Sequence, residues 1–105
     1  NGKFMRLLVF FDLPVETSKQ RRDYSVFHKF LIKNGFIMMQ KSVYSKLVIN
    51  NVTSATVKEK VRRNIPPEGI VEMLEITENQ MSKIEYLVGE KKSGVLDSMD
   101  RLIEI

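Results

Sequence analysis

The chain has 105 residues, 43% of them hydrophobic and 29% charged, enough for one compact domain with its own core and too few for two. It has no cysteine, which excludes disulfides, thiol catalysis and thiolate zinc sites, and no apolar run approaches the roughly 20 residues that cross a bilayer. No cleavable signal pattern is present, so a cytoplasmic protein with no membrane partner is expected. The net charge of +4 is unevenly spread: from Lys19 to Arg63 there are eleven Lys or Arg against two acids, and from Asn64 to Ile105 four against nine. Such asymmetry suggests one surface for a polyanion and another for a different partner.

Met5 to Phe11 is apolar on both alternating faces except at Arg6, the pattern of a central strand covered on both sides. It ends in the carboxylate Asp12, and Pro14 prevents its continuation. Thr17-Ser18-Lys19-Gln20 has capping-box spacing and predicts a helix that runs to the stop at Asn34-Gly35. Gln20, Tyr24, Phe27 and Leu31 share its inner face. Phe36–Gln40 and Ser42–Ile49 read as two strands joined by a turn near Gln40-Lys41-Ser42 that lacks glycine. Asn50-Asn51 and Thr53-Ser54 offer N-caps to a second helix with the stripe Val57, Val61, Ile65, ended by Pro66-Pro67. Gly69–Thr77 alternates as a fourth strand.

The order is βαββαβ, an α+β ferredoxin-like arrangement expected to occupy residues 1–89. Glu85–Val88 and Arg101–Ile105 read as further short strands, the latter in a tail of residues 90–105. Extra strands must add at a sheet edge, and an exposed edge favours pairing with another chain, so a symmetric homodimer closed by strand exchange is expected.

On the outer side of the first helix Lys19, Arg22, Lys29 and Lys33 lie within about 80° of one another, interrupted only by Val26. Like charges at such spacing repel, so a compensating polyanion explains them better than a plain solvated face; Arg21, Lys41 and Lys46 are candidates to assist. Sequence-specific reading of nucleic acid finds little support, because the third strand lacks the glycine and paired aromatics of the RNA-recognition motif. Tyr44 then reads as a packing residue, and His28, the only histidine, as a core or interface residue. No P-loop, dinucleotide turn or histidine cluster is present.

Asp12 has two readings. It could accept hydrogen bonds from the following turn, the simpler interpretation on chemistry alone. Alternatively, a two-fold axis beside it would let two copies hold one hard cation such as Mg²⁺.

Phe10-Phe11-Asp12-Leu13-Pro14, Arg21-Arg22, Lys33-Asn34-Gly35-Phe36-Ile37-Met38-Met39-Gln40, Ser42-Val43-Tyr44-Ser45-Lys46 and Ile76-Thr77-Glu78-Asn79-Gln80, in that order and spacing, resemble the CRISPR-associated protein two family, particularly its type II-A form. The resemblance runs from about Met5 to Gly89, and weakly through Arg101-Leu102-Ile103. It implies a ferredoxin-like fold, a dimer with exchanged C-terminal strands, and cytoplasmic action. It also implies a role in spacer acquisition: the dimer sits between two dimers of the CRISPR integrase, CRISPR-associated protein one, and serves as spacer and basic platform for protospacer double-stranded DNA. The acidic tail is then a candidate dock for the integrase. Some family members are described as metal-dependent endonucleases using the strand-end aspartate, here Asp12, so a scaffold is expected first and a Mg²⁺-dependent phosphodiesterase second. A small-molecule regulatory module of similar fold would want a glycine-rich turn where Asp12-Leu13-Pro14 stands.

Overall fold

The computed structural model describes residues 4–89. In chain order the elements are β1 (Met5–Asp12), α1 (Ser18–Lys33), β2 (Ile37–Gln40), β3 (Val43–Val48), α2 (Asn51–Arg62), β4 (Ile70–Thr77) and α3 (Glu78–Met81). The strands form one antiparallel sheet in the order β2-β3-β1-β4, the split βαβ arrangement that the sequence predicts. β1 is central, and its register runs from Met5 opposite Val48 to Phe10 opposite Val43, and from Met5 opposite Thr77 to Asp12 opposite Ile70.

Strand alternation divides β1 between two environments. Leu7, Val9 and Phe11 face α1 and α2 and are buried with Leu13, Phe27, Leu31, Phe36, Tyr44 and Val61. Phe11 centres this core, edge-on to Phe27 at 5.2 Å and to Tyr24 at 5.8 Å, and stacked on Tyr44 at 5.5 Å. Arg6, Leu8, Phe10 and Asp12 face the opposite side, away from α1 and α2.

Local chemistry sets the helix ends. The Thr17 hydroxyl accepts from the Gln20 N–H at 3.0 Å, and Gln20 Oε1 accepts from the Thr17 N–H at 3.0 Å, forming the capping box. At the other end Asn34 caps α1 and Gly35 turns with φ +88°. Asn50 caps α2 by accepting from the Thr53 N–H at 2.7 Å. α2 stops at Arg62 rather than reaching the prolines, because Ile65 precedes Pro66 and such a residue is disfavoured in helical conformation. Val61 is buried and Val57 packs on the core as expected, but Ile65 lies beyond the helix and is 55% exposed. The glycine-free turn after β2 is made by Ser42, which adopts φ 69°.

Beyond β4, which ends at Thr77 as the sequence predicts, Thr77 and Gln80 form a second capping box and begin the short helix α3, an element that the sequence reading does not include. Glu85–Val88 forms no strand and pairs with none among the described residues, and Leu87 and Val88 are 88% and 93% exposed. The expected strand Arg101–Ile105 and the tail 90–105 lie outside the described residues.

Near the α2–β4 contact, Ser54 is buried and its hydroxyl donates to Glu75 Oε2 at 3.0 Å, while the Lys58 ammonium pairs with Glu75 Oε1. The Lys58 bond is the main reason the Glu75 carboxyl lies below the usual carboxylate range; burial opposes it and Ser54 assists. A depressed folded-state value gives stability that is present above the unfolded-state value and is lost as pH falls through the folded one. Glu75→Gln should therefore cost about 1 kcal/mol at neutral pH. Urea unfolding as a function of pH should show that cost shrinking below about pH 4.

Candidate nucleic-acid interface and strand-end aspartate

The basic residues singled out in the sequence are not equivalent once placed. Arg22, Lys29 and Lys33 are exposed on the outward side of α1, opposite the buried Phe27 and Leu31, and form no ion pair among the described residues. They span about 16 Å of helix, a length over which a duplex carries about ten phosphate charges. Val26, 61% exposed, lies in the same row. Lys41 is exposed in the β2–β3 turn.

Two other candidates have partners inside the fold, and a third lies against the end of α1. Lys19 pairs with Asp23 at 2.9 Å, one turn along α1. Arg21 is a loop clamp: its Nη1 donates to the Val15 carbonyl at 3.1 Å and the Glu16 carbonyl at 2.9 Å, and its Nη2 to Ser18 Oγ at 3.4 Å. Lys46, half-buried on β3, brings its ammonium against the end of α1, where a Cβ at Gly35 would stand 2.6 Å from Nζ. A cation there opposes the negative end of the helix dipole. Topology also brings Lys60, Arg62 and Arg63, at the C-terminal end of α2, to the end of the sheet where β1 finishes. Arg62 and Arg63 both pair with Glu59, at 3.4 and 3.0 Å.

Asp12 is exposed on the open face of the sheet, and its carboxylate accepts no hydrogen bond among the described residues. The turn-acid reading therefore has no bond to support it. The backbone beneath is tightly held. The Phe11 N–H donates to the Ser42 carbonyl at 3.1 Å, and Gln20 Nε2 donates to Glu68 at 3.1 Å. Gly69, at φ +92°, approaches so closely that a Cβ would stand 2.6 Å from the Asp12 carbonyl oxygen and 2.8 Å from Leu13 Cδ2. Only glycine fits this approach. The site is thus a free carboxylate on a fixed backbone. No three carboxylate or imidazole groups converge to hold a metal among the described residues, and the Asp12 carboxylate alone offers fewer oxygens than Mg²⁺ takes.

His28 takes the structural role expected of it. Its Nδ1 lies 2.6 Å from the Tyr44 hydroxyl, whose ring is 1% exposed. Burial pushes the Tyr44 phenol above its ordinary value, with the nearby Tyr24 adding to the shift, so the hydroxyl stays protonated and can donate to the imidazole.

The open face is the feature that sequence reasoning missed. Beside Leu8 and Phe10 it carries Ile37, Leu47, Ile70 and Leu74, all exposed, with Glu72 between the last two, and exposed apolar side chains grouped on one face are the mark of an interaction surface. Over one half of it arch α3 and the residues that follow, leaving a cleft of about 770 Å³ lined by Arg6, Met38, Met39, Met81, Ile84 and Tyr86 among others. The period-two pattern of β4 was the available signal, since Ile70, Leu74 and Ile76 fall on the side away from the helices. No helix among the described residues is long and apolar enough to cross a membrane.

Comparison with known proteins agrees with the topology. A solved structure described as the crystal structure of cas2 superposes with a TM-score of 0.59 over 88% of this chain and 94% of its own, at 20% identity, a likeness of fold. A CRISPR-associated endoribonuclease Cas2 from Treponema denticola is 52% identical over 94% of this chain and 98% of its own length. One from Streptococcus mutans is 39% identical over 94% of this chain and 91% of its own. The family described as CRISPR associated protein Cas2 matches residues 5–84, from the first residue of β1 to just past α3. With the split βαβ sheet, the strand-end Asp12 and these relatives taken together, the chain belongs to the Cas2 family of CRISPR-associated proteins.

Proposed function

We propose that the chain works in CRISPR spacer acquisition as a non-catalytic dimeric scaffold, bridging dimers of the CRISPR integrase and holding protospacer DNA duplex on its basic surface. The observation that carries this reading is the row Arg22, Lys29 and Lys33, three exposed cations on the outer side of α1 that form no ion pair among the described residues. Contacts of that kind position a phosphate backbone without reading its sequence. The open apolar face supports a homodimer, with residues 84–88 exchanged between copies.

A second reading is a metal-dependent endonuclease using Asp12. It is favoured by the word endoribonuclease in the relatives' names and by the unbonded state of the Asp12 carboxylate. Among the described residues no cluster of metal-ligating side chains joins Asp12, so this reading calls for two Asp12 residues to share a cation at the dimer axis.

Asp12→Asn separates the two, because the amide keeps the shape and gives up the charge. The expected outcome is spacer integration within about twofold of wild type in a reconstituted reaction, together with loss of any Mg²⁺-dependent RNA or DNA cleavage by the purified protein. Loss of integration, with dimer, integrase binding and duplex binding shown to be normal, would make the chain an enzyme of the pathway and overturn the scaffold.

A further inference from the structure

Arg6 stands out on the open face. It is the one cation of β1, set among apolar neighbours, and its partner lies 72 residues away. Nε donates to Glu78 Oε1 at 2.9 Å and Nη2 donates to Glu78 Oε2, so the guanidinium and the carboxylate meet fork to fork. Two parallel bonds fix direction as well as distance. The bond to Arg6 is the main cause that holds the Glu78 carboxyl below the usual carboxylate range, and the bond to Glu78 is the main cause that raises the Arg6 guanidinium.

Glu78 is the first residue of α3, the point at which the chain leaves the sheet. Its N–H donates to the Phe4 carbonyl at 3.0 Å, and the Thr77–Gln80 box closes the turn around it. Downstream, Ile84 and Tyr86 line the cleft together with Met38 and Met39 of the β2 edge. Beyond them Leu87 and Val88 project without a partner. A single pair at this degree of exposure adds little to the stability of one chain. Its geometry matters more, because a small change of direction at Glu78 is carried along the eight residues to Tyr86.

We propose that the Arg6–Glu78 fork is a positioning device for self-association: it aims residues 84–88 across the open face so that a second copy of this chain can pair with them. The inference rests on the homodimer reading and deepens it. The partner is a second copy because the segment so aimed is largely apolar and has no ladder pairing among the described residues, and because it borders an apolar sheet face that continues past the cleft through Phe10, Leu47 and Leu74. Arg6 and Glu78 are positioning residues, since the contact with the partner is made by residues 84–88.

Sedimentation equilibrium of the full chain tests this, with urea unfolding of each variant run beside it. Arg6→Gln and Glu78→Gln should each raise the dimer dissociation constant about tenfold or more, with unfolding at dilutions where both proteins are monomeric shifted by less than the dimer is. Arg6→Lys keeps the charge but not the fork, and should weaken the dimer nearly as much. The charge exchange Arg6→Glu with Glu78→Arg should restore affinity to within about threefold, because the two residues act through each other, while the Arg6→Lys variant separates the fork from charge balance. An unchanged dissociation constant in Arg6→Gln overturns the proposal. So does an Arg6→Lys variant equal to wild type, or a loss of dimer that simply tracks loss of monomer stability. Failure of the dimer reading itself is seen separately, as a wild-type chain that stays monomeric or a dimer indifferent to Leu74→Glu.

Discussion

Leu74→Glu is expected to turn the dimer into a monomer at low micromolar concentration while leaving the fold intact. Leu74 lies on the open side of β4, opposite Leu8 of the central strand, and is half exposed in one chain. In the isolated protomer a carboxylate there meets water, and the change should cost no more than about 1 kcal/mol. Against a second copy the same group must be desolvated between apolar faces with no cation set to receive it, because Arg6, two rungs along β1, is already held by Glu78. Burial of an unpaired charge costs several kcal/mol, and a symmetric interface counts it twice, so the dissociation constant should rise by about three orders of magnitude or more. Sedimentation equilibrium with a circular dichroism check of the fold decides it. A Leu74→Glu protein that remains dimeric would place the interface elsewhere on the molecule.

The same face shows where sequence reasoning succeeds and where it stops. β1, the caps of α1 and α2, and the buried set Phe27, Leu31 and Val61 were legible because each depends on neighbours within a few residues, whose spacing is written directly in the chain. α3 was legible in principle as well: Thr77-Glu78-Asn79-Gln80 repeats the Thr-x-x-Gln spacing of Thr17–Gln20, but a helix of four residues is too short for a hydrophobic period to mark it. The fork between Arg6 and Glu78 was not legible, because nothing local couples residues 72 positions apart. Gly69 lay between these cases. Its position after two prolines marks a turn, yet that it closes on the Asp12 carbonyl follows only from the β1–β4 register. Among the basic residues, sequence counted charges and could not tell a free cation from an engaged one. Arg21 is turned inward on the Val15 and Glu16 carbonyls, and Lys19 is matched by Asp23, while Arg22, Lys29 and Lys33 keep their charge for an outside partner.

That distinction leads to the other large effect. Replacing Arg22, Lys29 and Lys33 together by Glu should weaken duplex DNA binding by about two to three orders of magnitude at 100 mM salt, whatever the sequence of the duplex. All three side chains are exposed on the outer side of α1, so the fold should lose little beyond about 0.5 kcal/mol for each altered pair along the helix. Each phosphate contact removed takes about 0.9 from the slope of log affinity against log salt, so the row as a whole accounts for about 2.7 per chain. Arg21→Gln, by contrast, should leave that slope nearly unchanged, because its guanidinium is committed to the β1–α1 loop. Salt titration of the wild type and both variants, on two duplexes of unrelated sequence, reads the two quantities together. If Arg21→Gln flattens the slope as much as the triple reversal does, the loop end of the sheet carries the DNA rather than the face of α1. If one duplex is strongly preferred over the other, contacts to base edges are being made and the platform reading gives way to sequence recognition.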